Sequence, residues 1–127
     1  MPSRYALYES AFPDEVEVPV QWTAPEVFES MRFTTASDIW AFGMMMIEVF
    51  TDGEKPFPGM MNVAVIATVA GGAQPPRPML CPEPLYSVLQ KCWSLDSKQR
   101  PPFESLSRSL RKQVIRLATS EAADQDV

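Results

Sequence analysis

The chain has 127 residues, an apolar fraction of 46% and a formal net charge of −5 at neutral pH. That length suits one small domain, which can bury roughly two-thirds of its unfolded surface. The negative charge argues against nucleic acid or an anionic membrane surface as the main partner. The two cysteines are too few for a disulfide framework and lack metal-ligand spacing, which indicates a reduced, intracellular compartment. No signal peptide is visible, and the longest apolar run, 39–47, is too short to span a bilayer.

Capping signals and apolar runs predict helices in the first half of the chain. Residues 1 to about 20 are polar and acidic without periodicity, which predicts a loop. Thr23 followed by Glu26 fits a capping box and predicts a short helix. Thr35 followed by Asp38 is a second helix start, because an acid in the first turn interacts favourably with the helix dipole. Nearly every residue of 39–50 is apolar, which predicts a core helix.

The second half of the chain predicts three more helices. Residues 62–70 could form a strand by propensity, but the following Gly71-Gly72 favours a helix that stops there. The next helix carries one apolar stripe, formed by Leu85, Val88, Leu89, Cys92 and Trp93. A last helix begins after Pro102 with a second stripe, formed by Phe103, Leu106, Leu110, Val114 and Leu117. No segment is a convincing strand, so the prediction is an all-α fold.

Four separated motifs carry a resemblance to a known family. They are the segment 19–26 (PVQWTAPE), the segment 37–43 (SDIWAFG), Cys92-Trp93, and the segment 100–103 (RPPF). In this order and spacing they resemble the distal half of a protein tyrosine kinase domain, from residue 19 to about 113. Within that family, the segment 32–40 and residues 55–57 are most similar to the focal adhesion kinase group of non-receptor kinases. The resemblance implies an incomplete helical C-lobe.

The phosphate-transfer motifs of a kinase are missing from the chain. A kinase also needs a Gly-rich loop, a strand Lys, a His-Arg-Asp catalytic loop and an Asp-Phe-Gly metal site. This chain has no His, and its first glycine is Gly43. No residue is therefore assigned a catalytic, cofactor-binding or metal-binding role, and ATP and magnesium would belong to an intact parent kinase. We expect a truncated or partial product, with Met1 inside a longer reading frame and an upstream kinase segment missing.

The resemblance divides the chain into three parts. Residues 1–18 would be a partial activation loop, in which Tyr5 and Tyr8 are candidate phosphorylation sites. Residues 19–117 would be the C-lobe portion. Residues 118–127 are small and acidic, which predicts a disordered tail.

The loop formed by Pro19, Val20, Gln21 and Trp22, called here the receiving loop, matches the kinase loop that receives the residue after the target tyrosine. The resemblance implies that its proline makes a platform for a substrate ring. Gln21 departs from the Lys or Arg that is usual in the family, and this leaves the charge preference of the peptide site open.

Several residues match structural positions of the family. Ala24-Pro25-Glu26 resembles the motif that closes the activation segment, where the glutamate pairs with an arginine that here would be Arg100. From the residues alone, Glu26 could equally cap its own helix. The family aspartate at Asp38 holds the catalytic loop, so here it would face water or lack a partner. Trp40 and Gly43 belong to the same motif, and we expect Trp40 in the core.

Two functions remain open at this stage. The chain is either part of a non-receptor tyrosine kinase, inactive alone, or a non-catalytic module that binds a peptide or a kinase surface. An unrelated all-α domain does not explain four ordered motifs. The expected partners are a tyrosine-containing protein or peptide and a second copy, because Met44-Met45-Met46 should expose an apolar patch. The expected location is the cytoplasm, with membrane-adjacent adhesion sites suggested by the family.

Overall fold

The computed structural model describes residues 19–125, with side chains described through Ser120. In this part of the chain there are helices and turns but no strand, which confirms the all-α prediction. The α-helices are α1 (Pro25–Ser30), α2 (Thr35–Phe50), α3 (Asn62–Ala70), α4 (Glu83–Lys91) and α5 (Phe103–Gln125). Two 3-10 turns, Val20–Trp22 and Ser97–Gln99, connect them. None of these helices is both long enough and apolar enough to cross a membrane.

Helix α2 begins at Thr35, the predicted start, and a reciprocal cap at the preceding residue, Thr34, closes this end. The Thr34 hydroxyl accepts a hydrogen bond from the Ser37 amide at 3.1 Å, and the Ser37 hydroxyl accepts one from the Thr34 amide at 2.7 Å. Thr34 is therefore the N-cap residue, and Asp38 lies in the first turn as predicted. Two of the orphan amides at this end are satisfied in this way, which favours a helix start at Thr35.

The core of the domain is built around α2. The side chains that α2 buries are Ile39, Trp40, Met44 and Ile47. Met45 and Val49 are 45% and 64% exposed, so this helix is not enclosed on every side. The predicted apolar patch is therefore only partly correct, because Met44 is fully buried and Met45 is the exposed methionine.

The predicted start of α1 is wrong. Thr23 does not cap the helix, because its hydroxyl donates to the Pro19 carbonyl oxygen at 2.8 Å instead. Ala24 occupies the N-cap position without a side-chain cap, and Pro25 begins the helix. Proline suits this first position because it has no amide hydrogen to leave unpaired. The Thr23 side chain thus stabilises the receiving loop rather than the helix.

Helix α4 packs its predicted stripe into the core, whereas α5 does not. Leu85, Leu89 and the following Trp93 are buried. In α5 only Leu106 of the predicted stripe is buried and Leu110 is half-buried. The rest of that stripe is exposed, namely Phe103, Val114 and Leu117. Periodicity identified the apolar face of α5 correctly but not the extent to which the domain covers it.

Helix α5 continues to Gln125, whereas the composition of residues 118–127 predicts a disordered tail. The segment contains Ala118, Ala122 and Ala123, and alanine is the residue with the strongest intrinsic helix propensity. A small and acidic composition therefore did not exclude a helix here. The first predicted part, residues 1–18, lies outside the described residues.

Candidate functional site

The receiving loop is a tight turn held by its own backbone. The amide of Trp22 donates to the Pro19 carbonyl at 3.0 Å, and the amide of Thr23 donates to the Val20 carbonyl at 3.2 Å. Val20 and Gln21 are buried, Trp22 is half-buried and Pro19 is exposed. The loop therefore presents the Pro19 ring to solvent while its next two residues anchor it in the core.

Gln21 ties the receiving loop to the segment after α2. Its side-chain oxygen accepts a hydrogen bond from the Phe57 amide at 2.9 Å. Gln21 is 5% exposed and Phe57 is 7% exposed, so water competes little for this bond. Loss of an acceptor for a buried amide typically costs about 1–3 kcal/mol. A neutral side chain thus performs a structural role where the family usually has a cation.

Trp22 ties the loop to the end of α2. Its indole Nε1 donates to Glu48 Oε1 at 2.7 Å. Glu48 is the acidic residue within the apolar part of α2, and this bond gives a partner to its half-buried carboxylate. Bonds to a charged acceptor are stronger than neutral ones. The receiving loop is therefore attached at two points, Phe57 and Glu48. Helix α3 also packs against the turn.

Glu26 and Arg100 form an ion pair across 74 positions of the chain. Arg100 Nη2 donates to Glu26 Oε1 at 2.5 Å and Nη1 donates to Oε2 at 3.1 Å. Nη1 also donates to the Ala36 carbonyl at 2.9 Å, and Nε donates to the Ser94 carbonyl at 2.9 Å. The guanidinium carbon lies 4.9 Å from the centroid of the Trp40 ring. Arg100 therefore connects α1, the start of α2 and the segment before α5.

Trp40 and Gly43 lie in the packed centre as the motif implies. Trp40 is 1% exposed, which places it in the core as predicted. A Cβ atom on Gly43 would lie only 2.5 Å from Trp93 Nε1, so glycine is needed for α2 to approach that ring. Within the described residues, neither Trp40 Nε1 nor Trp93 Nε1 has a hydrogen-bond partner. These two positions serve packing.

Asp38 lies apart from the other motif residues. Its side chain is exposed, and no hydrogen bond joins its carboxylate to another residue of 19–120. The sequence predicted that this carboxylate would face water or lack a partner. The position on the first turn of α2 still favours a negative charge through the helix dipole.

Burial suppresses the chemistry of the two thiols and of Tyr86. Burial raises the pKa of Cys92 to about 11, although the nearby Arg100 opposes the shift. Burial also raises the pKa of Cys81 and of Tyr86. The Tyr86 hydroxyl donates to the Pro75 carbonyl at 2.6 Å, which makes this tyrosine a structural residue. Thiolates are the reactive form of cysteine, so neither cysteine is suited to nucleophilic chemistry.

A shallow cleft of about 200 Å³ lies between α1 and α3. Its apolar lining includes Phe28, Ile66 and Leu95, and two carboxylate side chains, Glu26 and Glu29, also line it. Glu26 is committed to Arg100. The cleft is small compared with common ligand pockets, so it suits one side chain of a partner rather than a whole small molecule.

The described residues do not fit magnesium or ATP. Across 19–120 no three carboxylate, thiol or imidazole groups converge as metal ligands. The exposed carboxylate of Asp38 stands alone, and a magnesium-nucleotide site requires carboxylates together with groups that cradle phosphates. No chemical step through ATP can be derived from these residues.

The two anchors of the receiving loop were absent from the sequence-based prediction. Gln21 and Phe57 are 36 positions apart, and Trp22 and Glu48 are 26 positions apart. One signal could have pointed to Glu48, since a single acid in an apolar helix needs a polar partner. The sequence contains no comparable signal that would identify the Phe57 amide as an anchor. Tyr5 and Tyr8, the candidate phosphorylation sites, lie outside the described residues.

Comparison with known proteins identifies relatives of the chain. Tyrosine-protein kinase FRK of Homo sapiens is 40% identical over 100 residues, covering 79% of this chain and 19% of FRK. Ephrin type-A receptor 1 of Homo sapiens is 42% identical over 96 residues, covering 76% of this chain and 10% of the receptor. Tyrosine-protein kinase SRK3 of Spongilla lacustris is 45% identical over 92 residues, covering 72% of this chain and 28% of SRK3. The chain therefore spans less than a third of the length of each of these relatives.

A family model described as "Protein tyrosine and serine/threonine kinase" matches residues 6–110. This match extends over most of the chain and includes all four sequence motifs. Together with the relatives, it confirms the resemblance to a tyrosine kinase domain. The chain belongs to the protein tyrosine and serine/threonine kinase family.

Proposed function

We propose that this chain is the acceptor-peptide side of a non-receptor protein tyrosine kinase. In an intact kinase the reaction transfers the γ-phosphoryl group of ATP to a tyrosine hydroxyl, largely by positioning and charge stabilisation. The receiving loop is proposed to seat the residue after the target tyrosine on the exposed Pro19 ring. The observation that carries this proposal is the double attachment of the loop, at Phe57 and at Glu48.

The attachment matters because a fixed loop loses less conformational entropy on binding a peptide than a mobile loop does. Gln21 is neutral and its side-chain oxygen is already occupied by the Phe57 amide. It therefore offers no cation to an acidic peptide residue. The nearest charged partner of the loop is Glu48, which is anionic. We accordingly propose that the site disfavours an acidic residue directly after the tyrosine.

The chain alone is proposed to be inactive in phosphotransfer. It contains no His for a His-Arg-Asp loop and no glycine before Gly43 for a Gly-rich loop. A radiolabelled-ATP assay with the purified 127-residue chain and a tyrosine peptide should give no labelled product. Labelled peptide above the level of a no-enzyme control would overturn this part of the proposal.

Peptide binding is tested separately from catalysis. A fluorescent peptide with a central tyrosine should bind the chain. A peptide with phenylalanine in place of that tyrosine should bind similarly, and one with alanine there should bind less tightly. Replacing Pro19 and Trp22 by Ala should weaken binding of the tyrosine peptide about tenfold or more. A matched control is Leu80→Ala, which truncates an equally apolar side chain that is 76% exposed between α3 and α4. Equal binding by both variants would exclude the receiving loop as the contact.

The alternative is a non-catalytic module that binds a peptide or a kinase surface. The cleft between α1 and α3 favours this second function, because its apolar lining suits an aliphatic partner side chain. Ile66→Ala changes the cleft without touching the receiving loop anchors. Loss of partner binding in this variant, with peptide binding intact, would favour the module.

Some finer assignments remain predictions. Membership of the focal adhesion kinase group rests on the segment 32–40 and residues 55–57 alone, and the relatives named above add no support to it. A cytoplasmic location and phosphorylation of Tyr5 and Tyr8 are likewise proposals from the family. Mass spectrometry after incubation with an active tyrosine kinase would test whether Tyr5 and Tyr8 are phosphorylated. Absence of phosphate on both residues would contradict the phosphorylation proposal.

A further inference from the structure

The last helix carries a concentrated positive charge. Lysine and arginine number 11 in the whole chain, and the acidic residues nearest to this segment are Glu104 and Glu121. The basic residues of the segment are Arg108, Arg111, Lys112 and Arg116, and all four side chains are exposed. The local charge is therefore strongly positive on a chain whose net charge is −5.

This charge is not neutralised within the described part of the protein. Arg108, Lys112 and Arg116 follow each other at a spacing of four, so they are neighbours on one side of α5. Like charges at this spacing destabilise a helix. Arg108 donates a hydrogen bond to the Ser105 hydroxyl at 3.4 Å, and none of the three forms an ion pair with another residue of 19–120. An anionic partner would remove this repulsion.

The same part of α5 also extends beyond the domain. Leu106 is buried and Leu110 packs at the edge of the core, but every side chain from Val114 to Ser120 is exposed. The aliphatic residues Val114, Ile115 and Leu117 are 64%, 58% and 43% exposed. On the helix surface Ile115 lies within the arc of the four cations, whereas Val114 and Leu117 lie on the opposite face, on the side of Leu106 and Leu110. The surface directed away from the domain is therefore cationic with one exposed aliphatic side chain at its centre.

We propose that residues 108–117 of α5 bind an anionic phospholipid surface, with the helix lying among the headgroups. Aliphatic side chains combined with Lys and Arg are the features of helices that bind at this depth. Lys and Arg stems can extend along the apolar boundary while their charges reach phosphate groups. Arg111 lies to one side of the row formed by Arg108, Lys112 and Arg116, so the cations cover a broad arc. A broad fluid surface can contact all of them, whereas a single acidic helix cannot.

The net charge of −5 does not prevent this binding. Charges are screened over about 8 Å at physiological ionic strength, so distant acids contribute little at the contact. The net charge describes the chain as a whole, whereas the positive segment of α5 interacts with a membrane locally.

The test is sedimentation of the purified chain with phosphatidylcholine vesicles, with and without phosphatidylserine. We expect binding only when phosphatidylserine is present, and weaker binding at high ionic strength. A variant with Arg108→Gln, Arg111→Gln, Lys112→Gln and Arg116→Gln should lose nearly a thousandfold in partition coefficient, because each cation contributes about 1 kcal/mol. The matched control carries Arg32→Gln, Lys55→Gln, Lys91→Gln and Lys98→Gln, which change the net charge equally at exposed positions. It should stay within about threefold of the parent.

Further variants separate the contributions. Ile115→Ser should weaken vesicle binding several-fold without changing its dependence on phosphatidylserine. If the four-glutamine variant loses helix by circular dichroism, the variant Arg108→Lys, Arg111→Lys and Arg116→Lys replaces it and must retain binding. Equal binding to vesicles without phosphatidylserine, or equal loss in the matched control, would overturn the proposal. So would tighter binding to polyglutamate than to vesicles, which would identify an acidic protein partner, or pelleting without vesicles.

Discussion

Removing Arg100 should destabilise the protein more than removing any exposed cation. The Arg100 side chain is 1% exposed, and it donates four hydrogen bonds, two of them to Glu26 and one each to the Ala36 and Ser94 carbonyls. Arg100→Ala removes all four and also the contact with the Trp40 ring. Breaking a buried ion pair costs about 3–5 kcal/mol, largely because the remaining charge loses its partner.

The expected cost lies at the lower end of that range. The Glu26 side chain is 30% exposed, so water can partly solvate its carboxylate once Arg100 is gone. We therefore expect a loss of about 3 kcal/mol in the free energy of unfolding. Glu26→Gln leaves the buried guanidinium with a neutral acceptor and should cost about 2 kcal/mol. The double variant should cost less than the sum of the two single variants, because the first change already removes the interaction.

Urea unfolding followed by tryptophan fluorescence measures these changes, since Trp40 lies against Arg100. With a slope of about 1.5 kcal/mol per molar urea, the Arg100→Ala midpoint should fall by about 2 M. The control is Arg32→Ala, which removes an exposed cation and should change stability by less than about 0.5 kcal/mol. A cost for Arg100→Ala similar to that of Arg32→Ala, or fully additive costs in the double variant, would refute the reasoning.

Two further predictions concern the packing around Trp93. Gly43→Ala should cost about 2 kcal/mol, because its Cβ would lie 2.5 Å from Trp93 Nε1. The control Gly71→Ala, whose Cβ would be 3.4 Å from the nearest atom, should cost less than about 1 kcal/mol, and equal urea midpoints would contradict the clash. Burial raises the pKa of the Cys92 thiol to about 11, whereas the thiol of an unfolded chain ionises with an ordinary pKa of about 8.5. The stability that the buried neutral thiol contributes is therefore complete below about pH 8.5, and it is lost as the pH rises through about 11. The parent should therefore lose more stability than Cys92→Ala between pH 9 and 11 in urea titrations, and parallel losses would argue against the shift.

Local signals predicted the helices well because each signal acts within a few residues. The position of α2 followed from an apolar run with an acid in its first turn, and α3 followed from its terminal glycines. Exact starts were less predictable. Thr23 and Thr34 can both accept a capping bond, but Thr23 instead donates to the Pro19 carbonyl, four residues earlier.

Burial was harder to predict than secondary structure. The spacing of Leu106, Leu110 and Val114 identifies one face of α5, but nothing in that spacing tells where the rest of the domain ends. The face is buried at Leu106 and exposed by Val114, because the helix extends past the elements on which it packs. Contacts such as Gln21 with Phe57 depend on loops that lack any periodic pattern. The motifs therefore predict where the candidate site lies, whereas its anchors required the structure.

The anchors also connect the receiving loop with the Glu26–Arg100 ion pair through one helix. Trp22 binds Glu48 near the end of α2, and Arg100 binds the Ala36 carbonyl near its start. The receiving loop and the ion pair thus depend on the same helix, which has its own cap and a buried face within the described residues. None of these contacts uses a residue to which phosphate binding is assigned. Substituting Glu48 by Gln should therefore weaken peptide binding, through a weaker bond to Trp22, while the Glu26–Arg100 pair and most of the folding free energy remain.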